Sequence, residues 1–272
     1  MRFRLSVFRA AKRSVCAMKC FQKFLLNLSK VVYPSAVYGK ENIPEGGALI
    51  VSNHLSDLDS VYIRRLFKGD GVYFLAKKEL FQNKLYGKLL ASYGAIPVDR
   101  DNPDMKTLLS AVNVLRRNNK LVIFPEGTRN RTGKTWLLPF KGGSFVLAAK
   151  SKKPIVPVVI LKKAKIFGKT PIIIGKPFEL SDFYGKKLTD EDIAAMAEIV
   201  ANKLAENKSE LEKTLAAKKI KNKKLAPSCS RQGETGESEE CSEEIFVKNS
   251  EAAAEEQTAE SDKIGDKVPE EK

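Results

Sequence analysis

The chain has 272 residues, of which 43% are hydrophobic and 30% are charged. Its net charge of +15 at pH 7 favours an anionic partner, such as nucleic acid, acidic lipid headgroups or a polyphosphate cofactor. No stretch reaches the roughly 18 uninterrupted apolar residues of a membrane-spanning helix. We therefore expect a globular protein without a spanning helix.

The first segment, residues 1–34, is basic and amphipathic. From Phe8 to Val32 its apolar residues recur at steps of three and four, and basic residues largely occupy the other faces. This pattern is typical of a helix that lies in a membrane interface, although a helix packed on its own domain is the alternative. We predict that this segment contacts a membrane.

Residues 35–225 alternate short apolar stretches with helical patterns. The predicted strands are 48–51, 72–75, 95–98, 121–124, 155–161 and 171–174. The predicted helices are 57–67, about 80–90, 104–117, about 143–150 and 189–221. This alternation predicts one α/β domain with a mainly parallel central sheet flanked by helices.

The last segment, residues 226–272, differs in composition from the rest. It holds 14 acidic and 5 basic residues, a net charge of −9, whereas residues 1–225 hold 43 basic and 19 acidic residues, a net charge of +24. Its apolar content is very low, which is typical of disorder. We predict a disordered acidic tail behind a strongly basic folded part.

Two polar strings begin where predicted strands end. The first is residues 53–59 (NHLSDLD), and the second is residues 124–131 (FPEGTRNR). In open α/β sheets ligands bind beyond the carboxyl ends of the strands. We therefore expect both strings to form one site.

The first string contains His54, the sole histidine of the chain. A histidine can take and give a proton near neutral pH, and Asp59 can orient its ring if His54 lies in the turn before a helix and Asp59 in the first turn. Ser56 with an acid three residues later is the capping-box pattern that starts a helix. The alternative is that Asp59 only caps this helix and His54 is a structural residue.

Cations surround the second string. Arg129 and Arg131 have the forked geometry that binds phosphate, and Arg100 and Lys141 follow other elements at the same predicted edge. Each cation alone is typical of a solvated surface. Several at one edge of a sheet indicate a phosphate-bearing substrate.

Four blocks carry a resemblance to a known family. Residues 53–59 resemble the N-H-x-S-x-x-D block of the glycerolipid acyltransferases, the family of 1-acylglycerol-3-phosphate acyltransferases. Residues 94–100, 124–131 and 155–158 are similar to its second, third and fourth blocks, in family order and spacing. The resemblance covers roughly residues 35–180 and leaves out the tail.

The resemblance implies acyl transfer from a thioester, acyl-CoA or acyl carrier protein, to the free hydroxyl of a lysophospholipid. His54 would be the general base and Asp59 would orient it, without a metal, a cofactor or a covalent acyl-enzyme. Backbone N–H groups near the helix start would stabilise the oxyanion. The implied substrate-binding residues are Glu126, Gly127, Thr128, Arg129, Arg100 and Lys141.

The expected reaction is acylation of the sn-2 hydroxyl of 1-acylglycerol 3-phosphate, which gives phosphatidic acid for phospholipid biosynthesis. A related enzyme that acylates another lysolipid or glycerol 3-phosphate is the alternative. Because the acceptor is an amphiphile and the donors are cytosolic, we expect peripheral or monotopic attachment to the cytoplasmic face of the cell membrane, with anionic phospholipid as partner.

Two other classes fit less well. A nucleic-acid-binding protein would be expected to interleave aromatic residues with its cations as stacking platforms, and no segment does so. A catalytically dead membrane scaffold would have no need for both His54 and Asp59. We therefore expect no nucleic acid among the partners.

Overall fold

The computed structural model of the chain describes residues 22–67, 71–99, 105–141 and 144–225. Most of the predicted membrane segment and the whole acidic tail lie outside these residues, so the predicted domain bounds stay predictions. Among the described residues, none of the helices has both the length and the apolar character needed to cross a bilayer.

A seven-stranded sheet forms the centre of the fold. Its strands are β1 Ser35–Tyr38, β2 Ala48–Ser52, β3 Val72–Lys77, β4 Ala95–Val98, β5 Lys120–Ile123, β6 Ile155–Ile160 and β7 Thr170–Ile174. They are ordered β1-β7-β6-β2-β5-β3-β4 across the sheet. The five strands from β6 to β4 are parallel, whereas β7 pairs antiparallel with β6 and parallel with β1. The predicted mainly parallel sheet is confirmed.

Helices cover both faces of this sheet. They are α1 (residues 22–32), α2 Asp59–Leu66, α3 Lys84–Ser92, α4 Met105–Arg116, α5 Val146–Ser151 and α6 Asp190–Leu225. Because side chains alternate along a strand, Leu49 and Val51 of β2 pack in the core with α4, α5 and α6, and Ala48 and Ile50 pack in the core with α2. All five residues of β2 are buried, as expected for a central parallel strand.

The predicted elements differ from the structure in two places. β1 was not predicted, because its four half-buried residues lack both a long apolar run and a clear alternation. The helix predicted near 80–90 is a 3-10 turn, Lys78–Phe81, followed by α3 from Lys84. Asn83 sets this start, since its side chain accepts the N–H groups of Leu85 and Tyr86.

Candidate active site

Asn53 fixes the backbone at the end of β2, directly before His54. Its buried amide donates to the Ile160 carbonyl and accepts the Ile160 N–H, both at 2.9 Å. These two bonds join the carboxyl ends of β2 and β6. Asn53 belongs to the first string, but this role was not predicted; the signal for it in the sequence is an amide side chain between a buried strand and the histidine.

The structure brings His54 and Asp59 together. The Nδ1 atom of His54 lies 2.9 Å from Oδ2 of Asp59, which is fully buried at the first residue of α2. The same carboxylate accepts the N–H groups of Leu55, at 2.6 Å, and of Ser56, at 2.7 Å, and the Ser56 hydroxyl donates to it at 3.0 Å. The carboxylate therefore holds both the turn and the ring. With Nδ1 donating, Nε2 of the neutral ring carries the lone pair.

Phe124 holds the face of the His54 ring. The two rings stack with centroids 4.1 Å apart and an angle of 16° between their planes. The His54 side chain is 14% exposed. The ring is therefore fixed by packing and by Asp59, while part of it stays accessible to a substrate.

The second string also holds the His54 peptide. Glu126 accepts the His54 N–H through Oε1 at 2.7 Å and the Leu138 N–H through Oε2 at 3.1 Å, and Asn130 donates its N–H to the His54 carbonyl at 2.8 Å. Glu126 is 1% exposed, and burial raises its pKa, although its bonds to the two N–H groups act in the opposite direction. Its contacts are those of a residue that positions the backbone of His54, and its predicted contact with substrate stays a prediction.

Arg129 is half-exposed and lies beside Asp57, three residues after His54 in the chain. It forms an ion pair with the exposed carboxylate of Asp57. Exposed ion pairs of this kind contribute little to stability, typically about 0–1 kcal/mol. The guanidinium can therefore change partners at low cost.

Gly127 and Lys141 lie against each other in the turn after β5. Gly127 has a φ of 62°, and a Cβ there would lie 2.9 Å from Cδ of Lys141. The Lys141 N–H donates to the Pro125 carbonyl at 2.9 Å. Thr128 is exposed beside them, and Arg100 lies outside the described residues. The structure thus places Lys141 beside Gly127 of the second string, next to Thr128 in the chain.

A cavity of about 290 Å³ adjoins this arrangement. Its lining includes Asn53 and Leu55, which flank His54 in the chain, as well as Asn130, Trp136, Lys163 and Lys208. Asn130 closes the loop on one side, because its side chain donates to the Thr135 carbonyl at 2.6 Å and accepts the Gly133 N–H at 3.1 Å. This role of Asn130 was not predicted from the sequence.

Known proteins are similar to this chain in sequence and in fold. The model of a protein family described as Acyltransferase matches residues 35–161, which include both strings. The 1-acyl-sn-glycerol-3-phosphate acyltransferase of Bacillus subtilis (strain 168) is 32% identical over 204 residues, which cover 70% of this chain and 98% of that protein. The chain belongs to the acyltransferase family. It is an enzyme of the O-acyltransferase class.

A second relative and a solved structure are also similar to this acyltransferase. The 1-acyl-sn-glycerol-3-phosphate acyltransferase of Helicobacter pylori (strain J99) is 36% identical over 165 residues, 60% of this chain and 65% of that protein. The crystal structure of the 1-acyl-sn-glycerophosphate (LPA) acyltransferase PlsC from Thermotoga maritima is 25% identical with a TM-score of 0.50, covering 73% of this chain and 82% of that one. The mostly parallel sheet flanked by helices is therefore common to both.

Proposed function

We propose that this acyltransferase transfers a fatty acyl group from acyl-CoA or acyl carrier protein to the sn-2 hydroxyl of 1-acylglycerol 3-phosphate, giving phosphatidic acid. The observation that carries the proposal is the contact of His54 with the buried carboxylate of Asp59, 2.9 Å apart. The names of the relatives in Bacillus subtilis and Helicobacter pylori support the acceptor.

His54 acts as the general base. Its Nε2 takes the proton of the acceptor hydroxyl as the oxygen forms a bond to the thioester carbonyl carbon. The tetrahedral intermediate collapses, the carbon–sulfur bond breaks, and the imidazolium returns the proton to the departing thiolate. Asp59 stabilises the imidazolium through Nδ1. Because the acceptor hydroxyl is itself the nucleophile, the proposed reaction needs no covalent acyl-enzyme, and it uses no metal or cofactor.

The oxyanion of the intermediate needs hydrogen-bond donors. Backbone N–H groups at the start of α2 were expected to supply them. Those of Leu55 and Ser56 donate to Asp59 instead. These two groups therefore position the acid of the pair, and the oxyanion takes its donors from other groups.

Arg129 binds the phosphate of the acceptor, with Gly127, Thr128 and Lys141 beside it. A phosphate replaces Asp57 as the partner of the guanidinium, and the forked geometry of arginine suits two phosphate oxygens. Arg100 is a further candidate from the sequence. Glu126 contributes by holding the peptide of His54.

The enzyme works at a membrane surface, because acceptor and product are amphiphiles. The net charge of +24 on residues 1–225 supports peripheral attachment to an anionic leaflet on the cytoplasmic side, where each nearby cation adds about 1 kcal/mol. The amphipathic segment 1–34 is the predicted attachment element.

The test is a substrate panel with the purified full-length protein in lipid or detergent. Lysophosphatidic acid, other lysophospholipids and glycerol 3-phosphate are offered with acyl-CoA and, separately, with acyl carrier protein, and products are identified by mass. We expect phosphatidic acid from lysophosphatidic acid as the main product. A preference for another lysolipid or for glycerol 3-phosphate would overturn the proposed acceptor while leaving the acyl transfer intact.

A further inference from the structure

A short hairpin between β6 and β7 exposes two large apolar residues at its tip. Ile166 is 63% exposed and Phe167 is 72% exposed. The hairpin is closed by the pairing of Lys165 with Gly168, and Phe167 has a left-handed backbone with φ 57°. A bulky residue is uncommon in this conformation, which asparagine or glycine adopts more easily. Local backbone preference therefore does not explain Phe167.

Four lysines flank this tip within eight residues of chain. They are Lys162, Lys163, Lys165 and Lys169. All four are exposed. Apolar side chains at a tip with cations around them suit a bilayer interface, where the apolar groups enter the acyl boundary and the ammonium groups meet anionic headgroups.

A stripe of exposed apolar residues on α1 lies near this hairpin. Phe24, Leu28 and Val31 are 61%, 46% and 66% exposed, and their spacing puts them on one face of the helix. The N–H of Phe167 donates to the carbonyl of Val32, at the end of α1, with a distance of 2.7 Å. The tip is thus fixed to the helix that carries the stripe.

The hairpin also leaves the sheet at the edge that carries the active site. It follows β6, whose last residue, Ile160, is bonded to Asn53 next to His54. The ammonium of Lys163 donates to the carbonyl of Arg131 in the second string at 3.2 Å. A bilayer in contact with this hairpin would therefore lie beside the candidate active site.

We propose that the Ile166–Phe167 tip is a membrane-contact element that enters an anionic phospholipid bilayer together with the Phe24–Leu28–Val31 stripe of α1. The partner is an anionic bilayer, because exposed lysines flank the apolar tip in the chain. The need for such a contact rests on the proposed lipid substrate, but vesicle binding is measured without any reaction.

The first experiment is vesicle sedimentation of the full chain with mixed phosphatidylglycerol and phosphatidylcholine. The variant combines Ile166→Ser with Phe167→Asn, since asparagine accepts the left-handed backbone and preserves the fold. We expect binding to weaken by roughly tenfold or more, as removal of two apolar side chains from the interface implies. The matched control is Leu109→Gln, which removes an apolar residue 54% exposed on α4.

Two further measurements are fluorescence quenching by the bilayer and acyl transfer in detergent. A Phe167→Trp variant is expected to show fluorescence quenching by brominated acyl chains beyond that of the wild type. Unchanged vesicle binding by the double variant would overturn the proposal. So would the absence of added quenching in Phe167→Trp. Acyl transfer on detergent-dispersed substrate tests the proposed function separately, because we expect the double variant to retain it.

Discussion

At the scale of single residues, the carboxylate of Asp59 has the central position. It contacts the His54 ring and accepts two backbone N–H groups of the turn between them. A general base needs its ring in one tautomer, with Nδ1 donating and Nε2 accepting. One buried carboxylate therefore fixes the tautomer, the ring orientation and the turn.

Replacement of Asp59 by asparagine is expected to reduce kcat by roughly a hundredfold to ten-thousandfold, because the amide neither stabilises the imidazolium nor secures the tautomer. Initial rates of acyl transfer at saturating substrate measure this, with circular dichroism to verify folding. Ser56→Ala is the matched control, since it removes one hydrogen bond to the same carboxylate. A folded Asp59→Asn variant with near wild-type kcat would contradict the role of Asp59.

Arg129→Ala is expected to raise the KM for lysophosphatidic acid more than it lowers kcat, because the proposed contact is with the unreacting phosphate. A rise of roughly tenfold or more is the expected scale for loss of a charge-assisted hydrogen bond. Asp57→Asn frees the guanidinium and serves as the control, with an unchanged or lower KM. An unchanged KM in Arg129→Ala would remove it from the phosphate site.

The raised pKa of Glu126 makes stability depend on pH. Because the folded state holds this proton more tightly than the unfolded state, the contribution of Glu126 to the free energy of unfolding falls as pH rises from the ordinary value of 4.5 through the folded pKa. Glu126→Gln lacks this dependence. Urea unfolding of both proteins over this range should show the wild type losing stability relative to the variant as pH increases; the opposite slope would contradict the raised pKa.

At the scale of elements, the ends of β2, β5 and β6 build the site. Asn53 joins β2 to β6, and Glu126 and Asn130, which follow β5, hold the peptide of His54. These polar residues therefore fix the backbone that carries the His54 ring.

Asn53→Ala is expected to destabilise the protein by about 2–4 kcal/mol, because it leaves the N–H and the carbonyl of buried Ile160 without their partner. Urea unfolding measures the loss. Asn42→Ala, which removes a single part-buried bond to the Ile174 carbonyl, should cost less. Equal losses would mean that the β2–β6 link has no special weight.

Only part of this arrangement could be predicted from the sequence. The six strands with long apolar runs and the meeting of the two strings follow from periodicity and from the rule for carboxyl ends of parallel strands. Strand β1 and the antiparallel pairing of β7 with β6 depend on contacts between residues of different elements, which a single sequence does not show. The contacts of Glu126 have the same cause, since its partners, the N–H groups of His54 and Leu138, lie 72 and 12 residues away.

At the scale of the whole molecule, charge is divided between a basic part and an acidic end. Residues 1–225 carry +24 and residues 226–272 carry −9. We hypothesise that the acidic tail competes with anionic lipid for the basic surface; such competition would be strongest when salt does not screen it.

Deletion of residues 227–272 is therefore expected to tighten binding to anionic vesicles at low salt and to have little effect at high salt. Vesicle sedimentation of the full and shortened chains at two salt concentrations measures this. Neutral phosphatidylcholine vesicles are the control, since they offer no charge to compete for. Equal binding of both chains at low salt would refute an inhibitory tail.

We propose that His54 is the base of an acyl transfer to a lysophospholipid. The most direct measurement compares the wild type with His54→Ala in phosphatidic acid formation from lysophosphatidic acid and acyl thioester. Glu206→Gln, an exposed substitution on α6, serves as control. We predict product from the wild type and the control, and a loss of roughly a thousandfold in rate for folded His54→Ala. Product formation by His54→Ala near the wild-type rate would show that His54 is not the base.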